Sequence, residues 1–255
     1  MSDIALSVDN VAVRFGGVTA LDDVSFEVRN GELLGLIGPN GAGKTTMLRS
    51  ITGVVTPQQG QVQIAGRDVT AEPVHRRIRL GLALSQQLVR PFRGMNVLDN
   101  VVLAAGAAKT ATPFTALTNR SRAAEIQRAL EMLALVGIAD QAEAEPANLP
   151  LGFLKRLEVA RALALQPKVL LLDEPLAGLN HSEAAAMADT IRDLNAAGQT
   201  IVLIEHNLGE VMRICHRLVV LDNGRKIGEG LPKAVMSDPT VRAAYLGEGS
   251  GDAAA

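Results

Sequence analysis

Nine residues between 38 and 46 carry the clearest chemical signal in the sequence. They fit the pattern G-x-x-x-x-G-K-[ST], which is typical of loops that bind the phosphates of a nucleoside triphosphate. The glycines permit a tight bend that turns backbone N–H groups toward phosphate oxygens. Lys44 supplies a positive charge for the β- and γ-phosphates, and the Thr45 hydroxyl can ligate Mg²⁺. The loop residues expected to bind the nucleotide are Gly38, Pro39, Asn40, Gly41, Ala42, Gly43, Lys44, Thr45 and Thr46.

The residues on either side of this loop favour phosphate binding over the alternative, a glycine-rich turn that holds no ligand. The apolar run 33–37 predicts a short strand before the loop, and residues 46–51 can begin a helix after it. A loop between a strand and a helix N-terminus is the arrangement that anion binding requires. We therefore predict a nucleoside triphosphate with Mg²⁺ at this loop.

Two carboxylates follow a second apolar run. Residues 169–172 predict a central parallel strand, and Asp173 and Glu174 come directly after it. Beside a phosphate-binding loop, Asp173 can hold the Mg²⁺ and Glu174 can polarise the attacking water. Taken alone, such a pair is equally compatible with a solvated turn, and it is the loop at 38–46 that favours the catalytic interpretation.

Two further polar residues follow predicted buried strands. His206 comes directly after 201–205, where it could reach the γ-phosphate and orient the attacking water. Gln87 follows the strand candidate 80–84, and its amide oxygen could ligate the metal or hold water. A lone histidine in such a place is more often an ordinary capped histidine than a functional one, and a lone glutamine indicates almost nothing.

The remaining sequence predicts an α/β domain with a helical segment inserted in it. Apolar and polar residues alternate between 8 and 28, which is typical of half-buried strands. Helical patterns dominate from 88 to 150, apart from a loop of small residues at 104–116, and the tail 248–255 should be disordered. The other predicted elements are strands at 62–64 and 200–204, helices at 125–136, 153–165 and 182–197, a hairpin over 218–227 and a final helix over 238–247.

Composition and charge are those of a globular protein without the charge of a nucleic-acid binder. Of its 255 residues, 47% are hydrophobic and 20% charged, and the formal net charge is −2. Arginines cluster at 76–79 and 90–93, and such clusters more often form a solvated face than a nucleic-acid binding site. A single cysteine, Cys215, excludes an internal disulfide. The sequence has neither a secretory signal nor an apolar run of ~18 residues, so we expect any membrane role to be exercised from outside the bilayer.

The order of these motifs resembles that of the ATP-binding cassette (ABC) ATPases, and the resemblance covers residues 4–247. It implies one α/β domain, with a P-loop NTPase core and a mainly parallel sheet. It further implies an N-terminal antiparallel β subdomain and an inserted α-helical subdomain at about 88–150. The positions that match are Phe15, the loop 38–46, Gln87, a signature segment within 149–163, Asp173, Glu174 and His206.

The resemblance also implies a mechanism. Two subunits face head to tail and sandwich two ATP molecules, with Glu174 and His206 as catalytic residues and with Thr45, Gln87 and Asp173 at the Mg²⁺. Phe15 would stack on adenine, a contact worth about 1–3 kcal/mol by analogy with base–aromatic stacking. The alternative for Phe15 is a residue of the strand core.

The signature segment departs from the usual family pattern. Leu-Ser-Gly-Gly-Gln is replaced by the residues 149–153, Leu-Pro-Leu-Gly-Phe, so that Pro150 offers neither a hydroxyl nor an N–H. Because a backbone N–H at a helix N-terminus can still face phosphate, Gly152 is expected to contact the partner's nucleotide. Asn180 replaces the usual aspartate of the D-loop, and Gln86 stands where an aromatic residue is common.

Several segments resemble the ATP-binding subunits of branched-chain amino acid importers in particular. The resemblance implies membrane permease subunits and a second ATPase subunit as partners, in a homodimer or heterodimer. It also implies an indirect link to an extracytoplasmic solute-binding protein, no nucleic acid, and a peripheral location on the cytoplasmic face of the membrane. The segments are 92–98, 174–180, 203–207 and 238–247.

Other functions stay open on the sequence alone. The same motor could serve lipopolysaccharide export or the uptake of urea or short amides, since a lipopolysaccharide-export ATPase ends in a similar way. A soluble mechanical ABC ATPase acting on nucleic acid or ribosomes is disfavoured. Such chains usually carry two cassettes, long coiled coils or a net positive charge, and this sequence shows none of these. A P-loop kinase would leave His206 and the segment 149–163 without a role.

Overall fold

The computed structural model describes residues 3–86, 90–92, 94–107 and 122–246. The strands are β1 (Ile4–Phe15), β2 (Val18–Arg29), β3 (Leu33–Ile37), β4 (Gln59–Ile64), β5 (Arg67–Asp68), β6 (Leu82–Ser85), β7 (Val169–Asp173), β8 (Thr200–Ile204), β9 (Arg217–Asp222) and β10 (Arg225–Gly230). The α-helices are α1 (Lys44–Thr52), α2 (Val74–Arg79), α3 (Val97–Ala105), α4 (Ala123–Leu135), α5 (Leu151–Ala164), α6 (His181–Ala196), α7 (Leu208–Ile214), α8 (Pro232–Ser237) and α9 (Pro239–Leu246). Short 3₁₀ helices cover Ala139–Gln141 and Pro146–Asn148.

The larger sheet brings the predicted functional loops to one edge. Its strand order is β10-β9-β3-β8-β7-β6, and the strands from β9 to β6 are parallel to one another. Parallel strands that are covered on both faces have continuously apolar sequences, and β3, β7 and β8 show this pattern. Because β3, β7 and β8 point the same way, the residues that follow them all emerge at their shared carboxyl edge, where α/β proteins bind ligands.

Strand β3 separates the two hydrophobic cores of the molecule. Alternate side chains of a strand point to opposite faces. Accordingly, Leu33 and Ile37 lie in the core beneath the helices, whereas Leu34 and Leu36 lie in the core shared with the antiparallel sheet. Between them, Gly35 faces the helices, and a Cβ there would lie 2.6 Å from the Leu218 side chain. A larger residue at 35 would therefore displace the Leu218 side chain and crowd Cys215 and Val211.

The second sheet is antiparallel and has the order β2-β1-β4-β5. In its centre, Val8 of β1 pairs with Phe26 of β2 on one side and with Val62 of β4 on the other. These side chains pack with Met47 and Ile51 of α1, so this sheet covers the helix that follows the glycine-rich loop. The strands predicted from the alternation between 8 and 28 are confirmed, and they belong to the antiparallel subdomain that the family resemblance implied.

The helical part of the chain packs against the opposite face of the larger sheet. Helices α3, α4 and α5 contact one another and contribute to a single apolar core. Helix α4 ends as predicted, because Gly137 adopts a left-handed φ of 73° and the Ile138 N–H donates to the Leu133 carbonyl at 2.9 Å. Within the described residues, no helix has the length and apolar character needed to cross a membrane. The limits of the insertion at 88–150 remain a prediction.

Some local predictions were wrong. The strand candidate at 80–84 begins only at Leu82, because Leu80 and Gly81 close α2 with backbone bonds to Arg76 and Ile78. Part of the loop expected at 104–116 belongs to α3, which continues to Ala105. Helices α2, α7 and α8, of six or seven residues, are too short to show a periodic pattern and were missed. The tail 248–255 and residues 108–121 lie outside the described residues.

A buried arginine ties α1 to the antiparallel subdomain. Arg77 of α2 is fully buried, and its guanidinium donates to the Ser50 and Ile51 carbonyls at 2.6 and 2.8 Å, in the last turn of α1. It also donates to the Glu72 and Thr70 carbonyls, each at 2.8 Å. Carbonyls at a helix C-terminus lack partners within the helix, so Arg77 caps the helix and satisfies a neighbouring turn at once.

Substituting Arg77→Met should lower the free energy of unfolding by about 3 kcal/mol or more, because several buried carbonyls would lose their donor. The measurement is urea unfolding followed by circular dichroism. Arg76→Met is the matched control, since the Arg76 side chain is 62% exposed and pairs with Glu72 at 3.2 Å on the surface. Such a pair contributes about 1 kcal/mol at most. Equal losses in the two variants would contradict the capping role.

Candidate functional site

The glycine-rich loop lies between β3 and α1, and its glycines are needed for two different close approaches. Gly38 has a φ of 148°, and a Cβ there would lie 2.1 Å from the Leu221 carbonyl oxygen. Gly43 has a φ of 102°, and its Cβ would lie 2.8 Å from the Ala20 carbonyl oxygen. The positive φ values and the nearby backbone atoms exclude other side chains at both positions.

The β9–β10 hairpin contacts the glycine-rich loop and supports its backbone. The Gly224 N–H at the hairpin tip donates to the Ala42 carbonyl at 3.1 Å, and the Asp22 N–H of β2 donates to the Gly224 carbonyl at 2.8 Å. Arg225 and Asp22 add an ion pair at 2.6 Å. The hairpin at 218–227 was predicted from the sequence, but its contact with the loop was not.

The lysine of the loop is held against the loop backbone. Lys44 is the first residue of α1, and its Nζ donates to the Gly38 and Pro39 carbonyls at 2.5 and 2.8 Å. The loop therefore carries an ammonium group and the N-terminus of a nine-residue helix side by side. Both favour an anion at this position.

Asp173 ends β7 at the same edge of the sheet, in register with Ile204 of β8. Burial raises the pKa of Asp173 above its usual range, and the negative charge of Glu174 raises it further. A divalent cation beside this carboxylate would offset both effects. Since Mg²⁺ prefers oxygen ligands, the Asp173 carboxylate and the Thr45 hydroxyl fit it chemically.

The structure brings the two expected catalytic side chains into contact. The Nε2 atom of His206 and the Oε1 atom of Glu174 form a short hydrogen bond. Glu174 is half-buried and follows β7, and its N–H donates to the Ile204 carbonyl of β8 at 2.9 Å. Its φ is +49°, a left-handed value that is uncommon for a residue with a side chain.

A cavity of about 500 Å³ joins the loop to these side chains. Its lining includes carbonyl, hydroxyl, ammonium, carboxylate and imidazole groups, which together could bind a triphosphate and activate a water. Most of the predicted nucleotide-binding residues thus face one space. The lining residues are Val18, Thr19, Ala20, Asn40, Gly41, Ala42, Gly43, Lys44, Thr45, Thr46, Glu174, His206, Asn223 and Gly224.

Phe15, Gln87 and Gly152 are not among the described residues that line this cavity. Phe15 ends β1, is 51% exposed, and pairs across the hairpin with Val18, which does line the cavity. Gln87 lies outside the described residues. Gly152 is the second residue of α5 and does not line this cavity. The roles expected for these residues stay predictions.

The variant signature forms an ordinary helix start. Pro150 is extended and precedes α5 without capping it through a side chain. The turn packs against the segment that follows Glu174, because a Cβ on Gly178 would lie 2.9 Å from Leu151. Asn180 caps the next helix, α6, and forms a capping box with Glu183.

Two buried charged residues next to the site were missed from the sequence. Glu205 and Lys155 are 3% and 4% exposed and lie behind Glu174. Burial raises the pKa of Glu205 and lowers the pKa of Lys155, while the charge of Glu205 opposes the shift at Lys155. The available signal was a carboxylate that continues the apolar run 201–204 without a turn residue between them.

Comparison with known proteins gives the family. Residues 21–177 match the family model described as ABC transporter, and residues 225–250 match one described as branched-chain amino acid ATP-binding cassette transporter. The chain is 37% identical over 254 residues to the high-affinity branched-chain amino acid transport ATP-binding protein LivG of Salmonella typhimurium, covering 97% of this chain and 100% of LivG. It is 34% identical to BraF of Pseudomonas aeruginosa, with the same coverage.

A relative with a different transport role matches over a shorter length. The lipopolysaccharide export system ATP-binding protein LptB of Acidithiobacillus ferridurans is 37% identical over 226 residues, covering 89% of this chain and 90% of LptB.

The solved structures that superpose on this chain belong to the same family as its sequence relatives. A crystal structure of the ADP conformation of an ATP-binding cassette of an ABC transporter superposes with a TM-score of 0.85 at 30% identity, covering 97% of this chain and all of that one. A nucleotide-free cassette superposes with a TM-score of 0.82 at 30% identity, covering 95% and 98% of the two chains. The chain belongs to the ABC transporter family and is one of its ATP-hydrolysing cassettes.

Proposed function

We propose that this cassette drives an ABC importer for branched-chain or related amino acids, as a peripheral subunit on the cytoplasmic face of the membrane. The observation that carries the cargo assignment is the match of 225–250 to the branched-chain amino acid cassette model. That segment begins with β10 and contains α8 and α9, the latter capped by Asp238 through a bond to the Thr240 N–H at 2.7 Å. The match to LptB favours lipopolysaccharide export as the alternative.

The chemistry of the proposal follows from the cavity. Lys44 and the N–H groups of the loop bind the phosphates of ATP, and Thr45 and Asp173 hold Mg²⁺. When bound, Mg²⁺ supplies positive charge that neutralises the phosphate oxygens. Glu174 accepts a proton from the attacking water, and His206 orients that carboxylate through their hydrogen bond. Phe15 stacks on adenine and Gln87 completes the metal site.

A second ATPase subunit, identical or related, completes the site with its signature helix. Among the described residues no acceptor bonds the N–H of Leu151 or of Gly152, the first two residues of α5. Such N–H groups at a helix N-terminus attract anions. Gly152 of one subunit therefore contacts the γ-phosphate bound to the other, in place of the usual serine hydroxyl.

The permease subunits dock on an apolar groove between residues 90–95 and the start of α5. The groove, of about 730 Å³, is lined by Pro91, Phe92, Met95, Pro146 and Leu154 together with Arg90, Gly94, Glu145 and Ala147. Phe92 is 44% exposed, while Arg161 lies over its ring at 4.7 Å. An exposed apolar groove is suited to a partner helix. A solute-binding protein outside the membrane delivers cargo to the permease and does not contact this chain.

Glu174→Gln should retain ATP binding and lower the rate of hydrolysis by roughly 10²–10⁴, because the amide cannot accept the proton from water. Steady-state phosphate release and a fluorescent-nucleotide titration measure the two effects separately. Lys44→Ala is the contrasting variant, and it should lose nucleotide affinity itself. Near-normal turnover by Glu174→Gln would rule out the catalytic role.

Met95→Asp should reduce recovery of the permease subunits with the affinity-tagged cassette, since a buried carboxylate would face an apolar helix. The ATPase rate of the isolated subunit should not change. Val54→Asp is the control, because Val54 is 62% exposed and lies after α1, away from the groove. Equal recovery from both variants would exclude the groove as the docking site.

Deletion of this subunit should abolish uptake of radiolabelled leucine, isoleucine and valine or of related amino acids, and re-expression should restore it. The Glu174→Gln variant should fail to restore it, because transport depends on hydrolysis. Normal uptake together with a defect in outer-envelope lipopolysaccharide would favour the export alternative instead.

A further inference from the structure

The expected catalytic carboxylate is carried by a residue in a strained backbone conformation. Glu174 has a φ of +49°, where a side chain crowds the backbone. Residues with side chains persist in this region only when surrounding contacts hold them there. The contacts on either side of Glu174 therefore decide where its carboxylate points.

The first contact comes from the signature helix. The Nζ atom of Lys155, in the second turn of α5, donates to the Glu174 carbonyl at 3.0 Å. Lys155 is 4% exposed, so its ammonium is fixed within the protein and does not extend into solvent. The direction of the Glu174 peptide is thus coupled to the position of α5.

The second contact comes from the residue before His206. Glu205 is 3% exposed, and its Oε1 accepts the Leu176 N–H at 2.6 Å while its Oε2 accepts the His206 N–H at 3.1 Å. One carboxylate thereby links the chain two residues after Glu174 to the backbone of the histidine that Glu174 contacts. Both carboxylate oxygens are used, and they face N–H donors from different segments.

We propose that Lys155 and Glu205 are positioning residues that clamp the segment 174–176, and so hold the Glu174 carboxylate against His206 in its catalytic orientation. This inference rests on the proposed function, in which Glu174 activates water. Neither residue lines the nucleotide cavity. Their opposite charges make the clamp possible, because a single buried charge without its counterpart would be far more costly.

The clamp also links the two halves of the composite site. Lys155 lies on α5, whose first turn is proposed to touch the partner's nucleotide, and Glu205 lies between the end of β8 and His206. A shift of α5 on dimer formation would therefore move the Glu174 carbonyl. The carboxylate should reach its catalytic orientation only when α5 is correctly seated.

Glu205→Gln in the full-length subunit is the primary test. The amide has one acceptor oxygen and an NH₂ group, so it can accept only one of the two N–H donors and confronts the other with a donor. We expect kcat for ATP hydrolysis to fall roughly 10- to 100-fold, the range for small misplacement of a catalytic group. The Kd for ATP should stay within about twofold, because the phosphate-binding loop is untouched.

Glu210→Gln is the matched control. Glu210 is also buried, at 8% exposure, but it lies on α7 and pairs with Arg213 at 2.6 Å, away from the cavity. It should leave kcat and Kd unchanged. A Glu205→Gln protein that folds, binds ATP and turns over at the normal rate would overturn the proposal.

A double mutant separates positioning from simple stabilisation. If Glu205 acts through Glu174, adding Glu205→Gln to Glu174→Gln should change the residual rate by less than about twofold. Once residue 174 lacks its carboxylate, its misplacement cannot lower the rate of hydrolysis further. A further loss as large as that in the wild-type background would overturn the proposal. If Glu174→Gln alone retains normal turnover, the proposed function fails and not the clamp.

Substitutions of Lys155 test the other residue of the clamp. They also provide a test of the proposal if Glu205→Gln does not fold. Lys155→Met keeps an unbranched side chain one atom shorter and removes the donor, so kcat should fall while the Kd for ATP is kept. Lys155→Arg, which can still donate to the Glu174 carbonyl, should recover part of the rate. A lower unfolding midpoint in urea with an unchanged kcat for the folded protein would show that Lys155 is only structural.

Discussion

Strand β8 pairs in parallel with β3 on one side and with β7 on the other, and the functional site depends on these two pairings. They align the loop at 38–43, the carboxylates at 173 and 174 and the histidine at 206 along one edge. Because each strand is buried on both faces, a one-residue slip would exchange its side chains between two different cores. The same burial that stabilises the sheet therefore fixes the register of the residues predicted to be catalytic.

At this edge the backbone adopts conformations that packing elsewhere must support. Gly38 and Gly43 meet this need without a side chain, since backbone oxygens of Leu221 and Ala20 occupy the space where a Cβ would lie. Glu174 must keep its carboxylate and cannot use that solution. It is held instead by the Ile204 carbonyl of β8 and by Lys155 of α5, and the second contact places a charged group in the interior. The strained backbone at Glu174 lowers the stability of the fold, and it is retained because it sets the direction of this side chain.

The sequence predicted those parts of the structure whose signals are local. Continuous apolar runs identified β3, β7 and β8, the glycine-lysine spacing identified the loop, and Asp238-Pro239 identified the start of α9. Contacts made between distant segments left no such pattern. The four carbonyls that Arg77 satisfies come from 50, 51, 70 and 72, and nothing in the spacing of these residues indicates a buried arginine. Helices of six or seven residues are also too short for a periodicity to distinguish them.

The altered signature and the clamp are best understood together. With Pro150 in the usual serine position, α5 can offer an incoming phosphate only backbone N–H groups and its dipole, so its orientation matters more than a single side chain would. Two contacts between α5 and the segment that follows β7 constrain that orientation. Lys155 donates to the Glu174 carbonyl, and Leu151 packs on Gly178. A helix that binds through its backbone needs to be held rigidly, because backbone donors cannot adjust as a hydroxyl rotor does. In the proposed function, α5 binds the phosphate held by the other subunit and Glu174 activates water in its own. The same contacts hold α5 and reach Glu174, so the proposal joins these two events mechanically.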